Sequence, residues 1–274
     1  MADIDKYLRK SALSHIWCPG CGNGIVLAAM LRAIDKLQLD QQKTVIVSGI
    51  GCSSRASGYL NFNTVHTAHG RALPFATGIK MANPELNVIV ITGDGDSTAI
   101  GGNHFIHSAR RNIDITTIIF NNAVYGMTGG QYSPLSPVAS KATTAPFGVA
   151  ERPFDIGVLA IAAGATYVAR GTAFHATQLT DLIVDAIKNK GFSVVDAITQ
   201  CPISFGRKNK MGPAAQMLKW QRDHAVPAKA VAKMTPEALK DKFIIGELHH
   251  SVAPEHAAEY EKLIERLREK GGEA

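Results

Sequence analysis

Four cysteines, two glycine-flanked aspartates and a pair of asparagines are the residues of this chain whose types and spacing could do chemistry. Cys18 and Cys21 form a CxxC in His15-Ile16-Trp17-Cys18-Pro19-Gly20-Cys21-Gly22-Asn23-Gly24, while Cys52 and Cys201 stand alone in Gly51-Cys52-Ser53 and Gln200-Cys201-Pro202. Four thiolates suit either Zn²⁺ or a [4Fe–4S] cluster. Structural zinc commonly takes two compact pairs, so one pair plus two distant single cysteines is less typical of a zinc ribbon; each single cysteine alone reads more simply as a buried inert thiol. The second set is Gly93-Asp94-Gly95-Asp96, followed by Asn121-Asn122. A carboxylate and an amide oxygen are hard ligands of the kind Mg²⁺ takes, and Mg²⁺ usually keeps phosphate oxygens in its shell. Flanking glycines let a bulky anion approach the backbone. A lone Gly-Asp-Gly is most often a plain turn; the asparagine pair at this distance makes it more specific.

The elements that must position these residues alternate. Apolar runs at Lys43–Ile50, Asn87–Thr92, Ile115–Phe120 and Phe192–Thr199 read as buried strands, with a short one at Thr166–Ala169. Helices are expected at Gly24–Leu39, Leu73–Asn83 (broken near Pro74 and Gly78), Ala99–Arg111, Ile156–Ala163 and His175–Lys190. Strands that are apolar throughout and alternate with helices predict an α/β fold: an open, mostly parallel sheet with helices on both faces. Ligands in such sheets bind at the carboxyl ends of strands, and 50–54, 93–96, 121–122 and 200–202 are all predicted strand ends. One crossover helix and one further strand separate Gly93 from Asn122, which brings Asp94 and Asn122 side by side. A stretch rich in Gly, Ser, Pro and Thr, 123–153, is too long for a simple connector, and such loops are usually functional or mobile. Residues 1–206 read as the chemical domain and 207–274 as a polar C-terminal extension, with a charged helix near Pro254–Lys270.

Gly93-Asp94-Gly95 followed by Asn121-Asn122 resembles the thiamine-diphosphate signature. That resemblance implies Mg²⁺ held on the diphosphate by Asp94, Asn122 and the carbonyl of Val124. The combination is more specific: CPGCGNG, GIGCSS, HGRALPFATGIK, GDGD, NN, YGMTGGQ and the late CP together resemble the β subunit of 2-oxoacid:ferredoxin oxidoreductases, over residues 10–206. The resemblance implies a thiamine-diphosphate-binding fold and a [4Fe–4S] cluster on Cys18, Cys21, Cys52 and Cys201. It also implies that Ile50, Gly51, Cys52, Ser53 and His69 lie against the cofactor, with Gly95, Asp96, Gly126 and Met127 meeting the diphosphate.

Thiamine enzymes need a carboxylate, normally a Glu, on the aminopyrimidine. Between Met1 and Ala150 the only Glu is Glu85, in a turn at the amino end of a strand and so at the wrong end of the sheet. The activating group is therefore expected from another polypeptide, the α subunit that the resemblance implies, in an assembly of at least αβ and by expectation (αβ)₂. The substrates implied are a 2-oxoacid and coenzyme A. Tyr132-Ser133-Pro134-Leu135-Ser136-Pro137 looks closer to the 2-oxoglutarate type than to the pyruvate type, and Arg55 or Lys141 is the candidate cation for a second carboxylate. The chain lacks a ferredoxin-like CxxCxxCxxxCP run, so electrons would pass directly to an external ferredoxin, and the basic Arg207-Lys208-Asn209-Lys210 is a candidate dock for an acidic one.

The bulk properties set the bounds. The chain has 274 residues, 46% of them hydrophobic, and a net charge of +6, enough for one large core or two small ones. No apolar run reaches the roughly 18 residues of a membrane span. The charged MADIDKYLRK start has no signal-peptide character, so a cytoplasmic location is expected. No basic stripe interleaved with aromatics points to nucleic acid. Two other readings remain open: a thiamine-dependent decarboxylase or synthase-type half-enzyme with structural zinc, and a non-enzymatic, zinc-bearing interaction module.

Overall fold

Runs of β-branched residues build the centre of the molecule because their side chains pack well on a pleated surface buried from both sides. In the computed structural model, which describes residues 4–271, these runs become β1 (Thr44–Ser48), β2 (Asn63–His66), β3 (Asn87–Gly93) and β4 (Thr116–Asn121). A two-residue hairpin of β5 (Val124–Tyr125) and β6 (Gln131–Tyr132) follows, then β7 (Tyr167–Thr172), β8 (Ser193–Ile198), β9 (Ala225–Pro227) and β10 (Phe243–His250). The helices are α1 (Asn23–Leu37), α2 (Ala72–Ala82), α3 (Gly102–Arg110), α4 (Ile156–Ala163), α5 (Ala176–Lys188), α6 (Ala214–His224), the single turns α7 (Ala228–Val231) and α8 (Pro236–Leu239), and α9 (His256–Gly271). The first three residues of the charged amino-terminal stretch lie outside the described residues, as do the last three of the chain.

Eight strands form one sheet in the order β2-β1-β3-β4-β8-β7-β10-β9. The first six are mutually parallel, β10 runs antiparallel to β7, and β9 runs parallel to β10. Alternate side chains divide between two cores. Ile46, Ile89, Ile91 and Ile118 pack with Met30 and Ile34 of α1 and Ile183 of α5. Val45, Val47, Val88, Val90 and Ile119 pack with Leu73 of α2, Phe105 of α3 and Ile156 of α4. The parallel sheet covered on both faces is the architecture expected from the sequence.

Three local readings need correction. The α2 helix is continuous, because Pro74 is its third residue, where a missing N–H has no intrahelical partner to lose. The Ala99–Arg111 helix begins earlier, with a π turn at Asp96–Ile100 directly after the Gly93-Asp94-Gly95 strand end, a distortion common at functional sites. Finally, the region after residue 206 does not merely append to the sheet. It supplies β9 and β10, and the segment before α9 is tied back where Asn112 Nδ2 donates to the carbonyls of Ala253 and Pro254 at 3.2 and 3.0 Å. β10 escaped sequence reading because FIIGELHH breaks the period-two pattern at Gly246 (φ +115°) and at a register shift between Glu247 and His249.

The sheet order decides where chemistry can occur. β1, β3, β4 and β8 are consecutive and parallel, so the segments after them emerge side by side at one edge. Those segments contain Ile50–Ser53, Asp94–Asp96, Asn121–Asn122 and Cys201.

Candidate active site

Asp94 leaves the end of β3 and is 3% exposed. Its carboxylate accepts from the Ser133 hydroxyl and from the backbone N–H of Asn122. Burial nevertheless pushes its pKa up to about 6, the hydrogen bonds opposing that rise only in part. One terminal atom of the Asn122 carboxamide lies 2.8 Å from the Val124 carbonyl oxygen and 3.3 Å from Asp94 Oδ1. With its NH₂ turned inward, the amide would donate to both acceptors. With its oxygen inward, three oxygens face one another with no hydrogen between them, an arrangement that a hard cation relieves. Adjacent ligands of an octahedral Mg²⁺ at 2.0–2.1 Å stand about 2.9 Å apart, and the Asn122 amide atom lies at separations of that order, 2.8 and 3.3 Å, from the other two oxygens. The residues present fit the ion.

The three oxygens open into a cleft, and Ile50, Gly51, Cys52, Ser53, His69, Gly95, Asp96, Gly126 and Met127 all line it. The glycines shape this cleft. Gly51 has φ +117°, a conformation closed to most side chains. A Cβ on Gly95 would stand 2.2 Å from the Tyr125 ring, whose hydroxyl donates to the Gly95 carbonyl at 3.2 Å. Glycine at 95 therefore lets the Tyr125 ring pack against the backbone at the start of the helical turn.

Asp96 lines the cleft beside Gly95 and is buried. Its carboxylate is turned into the protein, where Oδ1 accepts from the Gly70 N–H at 2.7 Å, the Ile50 N–H at 3.3 Å and Nδ1 of His69. Oδ2 accepts from Thr92 Oγ1 at 2.7 Å. An anionic group so occupied ties three segments together and offers no donor to a diphosphate. It also orients His69: an ionised carboxylate only accepts, so Nδ1 donates to it, and the ring's position is fixed. The His69 ring meets Tyr125 edge-on at 6.1 Å.

The cysteines converge beside this cleft. A Cβ on Gly126 would lie 3.6 Å from Cys201 Sγ and 3.7 Å from Cys52 Sγ, so both sulfurs stand beside the Gly126 backbone. Cys18 and Cys21 are brought there by a tight turn, with the Cys21 N–H donating to the Cys18 carbonyl at 3.0 Å and Gly22 N–H to the Gln200 carbonyl at 3.2 Å. Burial pushes the Cys21 thiol up to about 12, and Cys201, Cys52 and Cys18 are all near enough to add to the effect. Cys52 is pushed up to about 11, again mainly by burial. Among the described residues, no three His, Cys, Asp or Glu side chains are gathered as a site for a single metal ion. The four thiols are near enough to one another to act on each other's titration, and together they offer the four-thiolate donor set of a [4Fe–4S] cluster.

Neither Arg55 nor Lys141 lines the cleft. Arg55 is exposed on the 3₁₀ turn after Cys52, and Lys141 is exposed in a loop whose backbone is held by the Asn209 side chain at 2.7 and 3.1 Å. Glu85 is at the amino edge, 3.7 Å from Lys43, and no Glu lines the cleft among the described residues.

Sequence reading missed Ser133, Tyr125 and Thr92 as supports of the site. It also missed a buried chain behind Asn122: Arg170 Nε donates to Asp196 Oδ2 and its NH2 to Asp155 Oδ1, both at 2.7 Å, while Asn121 Nδ2 donates to Asp196 Oδ1 at 3.0 Å. The one available signal was Asp196 itself, a charge inside the apolar run FSVVDAIT. The 123–153 segment is laced rather than loose: Ser136 Oγ donates to the Ala123 carbonyl at 2.6 Å and Thr143 N–H to the Gly130 carbonyl at 2.7 Å.

Residues 49–197 match the family model described as thiamine pyrophosphate enzyme, C-terminal TPP binding domain. The 2-oxoglutarate synthase subunit KorB of Methanothermobacter marburgensis is 51% identical over 97% of this chain and 93% of its own length. Its namesake in Archaeoglobus fulgidus is 59% identical over 73% of this chain and 75% of its own length. Among solved structures, the 2-oxoglutarate:ferredoxin oxidoreductase from Magnetococcus marinus, with 2-oxoglutarate, coenzyme A and succinyl-CoA bound, superposes with a TM-score of 0.86. It is 34% identical, over 96% of this chain and 90% of that one.

Proposed function

The chain belongs to the β subunits of the 2-oxoacid:ferredoxin oxidoreductases, of 2-oxoglutarate type, and from that premise we propose that it holds the diphosphate half of a thiamine diphosphate site, one Mg²⁺ and one [4Fe–4S] cluster. The reaction is the oxidative decarboxylation of 2-oxoglutarate with coenzyme A. It yields succinyl-CoA, CO₂, one proton and two electrons, which leave singly for ferredoxin, and it is reversible in principle. When bound, thiamine diphosphate supplies the nucleophilic carbon and the electron sink for decarboxylation, and the cluster supplies one-electron capacity.

This chain's own residues prepare those groups. Asp94, Asn122 and the Val124 carbonyl hold the cation, and Ser133 orients Asp94. Gly95, with the glycine-shaped backbone around it, admits the diphosphate, and Gly126 and Met127 close the other side. His69, fixed by Asp96, presents Nε2. Cys18, Cys21, Cys52 and Cys201 hold the cluster, and Cys52 also lines the cofactor cleft, which keeps the electron's path short. The carboxylate that activates the aminopyrimidine, and the cation for the second carboxylate of 2-oxoglutarate, come from the α subunit in an (αβ)₂ assembly. Alone, the chain is inactive. The acidic carrier docks beside the CxxC turn: residues 6–34 and 197–222 contain no Asp or Glu, and Arg207, Lys208 and Lys210 are exposed one turn beyond Cys201.

The observation that carries this reading is that the oxygen ligands and Cys52 line one cleft at the ends of β1, β3 and β4, with Cys201, just past the adjacent β8, close to Gly126 of that cleft. Its test is metal and cofactor analysis of the anaerobically purified αβ complex, followed by turnover assays with 2-oxoglutarate and with pyruvate. About four iron and four sulfide per β chain are expected, together with stoichiometric thiamine diphosphate and Mg²⁺, and preference for 2-oxoglutarate. Zinc without sulfide would replace the cluster by a structural metal, and faster turnover of pyruvate would reverse the substrate assignment.

A further inference from the structure

Asp196 is a charge within the apolar strand β8 and is 1% exposed. It pairs in register with Ile119 of β4 and Arg170 of β7, so the three side chains share one face of the sheet. Arg170, itself 8% exposed, bridges two carboxylates: Nε donates to Asp196 Oδ2 and NH2 to Asp155 Oδ1, both at 2.7 Å. Gly157 leaves this pair its space, since a Cβ there would lie 3.2 Å from Asp155 Oδ1 and 3.5 Å from the Arg170 NH2. A buried ion triad adds little stability over apolar side chains of similar volume. What it imposes is position, because a planar guanidinium donates only along fixed directions.

Both ends of this triad lead to the cation ligands. At one end, Asn121 Nδ2 donates to Asp196 Oδ1 at 3.0 Å, and Asn121 directly precedes Asn122. At the other, next to Asp155, the Phe154 N–H donates to the Pro134 carbonyl at 2.8 Å. Pro134 follows Ser133, whose hydroxyl donates to Asp94. The 133–136 turn also closes back on the asparagines, because Ser136 Oγ donates to the Ala123 carbonyl at 2.6 Å. Ala123 stands between Asn122 and Val124 with φ +57°, a left-handed conformation that alanine rarely adopts. The bend there lets the Asn122 amide lie 2.8 Å from the Val124 carbonyl oxygen and 3.3 Å from Asp94 Oδ1. Such a bend persists only where its surroundings hold it. Resting on the cation reading above, we propose that Asp155, Arg170, Asp196 and Asn121 form a clasp. It fixes the spacing of Asp94, Asn122 and the Val124 carbonyl, and so fits their site to a small divalent ion. The four are positioning residues, and none of them lines the cofactor cleft.

The test is calorimetric titration of the cofactor-stripped αβ complex, in a fixed excess of thiamine diphosphate, with Mg²⁺ and separately with Ca²⁺. Mg²⁺ demands near-ideal octahedral geometry at 2.0–2.1 Å, whereas Ca²⁺ accepts flexible shells at 2.3–2.6 Å. Asp155 also caps α4, accepting from the Val158 N–H at 3.1 Å. Asp155→Ser keeps a capping oxygen, but that oxygen is one bond nearer the backbone and releases the guanidinium. Asn121→Ala cuts the clasp at its other end. Each variant is expected to weaken Mg²⁺ about tenfold, the low end of what losing a partner of a metal ligand costs, and to weaken Ca²⁺ much less. Asp155→Asn keeps an oxygen for both donors and should keep the wild-type preference for Mg²⁺. A lost charge acts on both divalent ions alike, so the ratio of the two affinities reads geometry. An unchanged ratio in either folded variant would overturn the proposal, leaving the triad a structural tie and no more. Failure of the wild-type complex to bind Mg²⁺ with thiamine diphosphate would instead sink the cation reading, and that titration comes first.

Discussion

Replacing Asp94 with asparagine removes a buried charge and a cation ligand in one step, and the two losses act on stability in opposite directions. Burial raises the Asp94 pKa from 3.8 to about 6 in the cofactor-free fold. A carboxyl whose folded pKa is raised contributes its full stability below its unfolded pKa of 3.8 and loses it as pH rises through 6. At 1.36 kcal/mol per pKa unit, the raised pKa of Asp94 costs the cofactor-free protein roughly 2 kcal/mol at pH 5 and roughly 3 kcal/mol at pH 7.5. Asparagine, standing in for the neutral acid, avoids that cost. Cofactor-free Asp94→Asn complex should therefore be more stable than wild type, by a margin that grows between pH 5 and pH 7.5. Saturating Mg²⁺ and thiamine diphosphate should reverse the order at pH 7.5, because the cation neutralises the carboxylate in wild type and has lost a ligand in the variant. Thermal unfolding of the αβ complex at the two pH values, with and without Mg²⁺ and thiamine diphosphate, reads both effects; other titrating groups cancel in the comparison. A cofactor-free variant no more stable than wild type at pH 7.5, or an order that survives saturation, would refute the reasoning.

Three further predictions test other parts of the site. Gly95→Ala puts a methyl 2.2 Å from the Tyr125 ring; because an ångström of misplacement near a reacting centre costs about 10²-fold, thiamine diphosphate retention and turnover should fall together, as cofactor analysis after gel filtration would show. In the cluster-free complex, iodoacetamide at pH 8 should modify exposed Cys18 well before Cys21 and Cys52, whose burial keeps them protonated; peptide mapping over time would detect the opposite order. Reversing the charges of Arg207, Lys208 and Lys210 should weaken binding of an acidic ferredoxin and flatten its salt dependence, since exposed charges act within a Debye length of about 10 Å at 0.1 M salt; titration calorimetry at two ionic strengths measures this, and an unchanged salt slope would place the dock elsewhere.

Much of this protein is legible in its sequence, because the strongest signals are local. Apolar β-branched runs specify β1, β3, β4 and β8, and a glycine, an asparagine pair or a cysteine past each run marks a strand end before any coordinates are known. Asp94 and Asn122 are separated by one strand–helix–strand unit, and the handedness of that unit leaves few places for them other than side by side. The resemblance to a family then supplies roles that residue types alone leave open, such as cluster against zinc.

What the tertiary structure decided is everything that depends on sheet order and side-chain direction. That β1, β3, β4 and β8 are neighbours cannot be read from their spacing, yet it alone brings Cys18, Cys21, Cys52 and Cys201 to one place. Asp96 carries the same charge as Asp94 two residues away, but it turns inward to hold His69, Thr92 and Ile50, because a carboxylate goes where donors converge. β10 was hidden because an antiparallel strand interrupted by a glycine and a register shift has no clean periodicity and is defined by its pairing with β7. Arg55 and Lys141, the candidate cations from the sequence, are exposed and do not line the cleft, which only side-chain direction in the fold could reveal. Local sequence sets which groups are available, and long-range packing sets which of them meet, since the contacts that define a site join residues far apart in the chain.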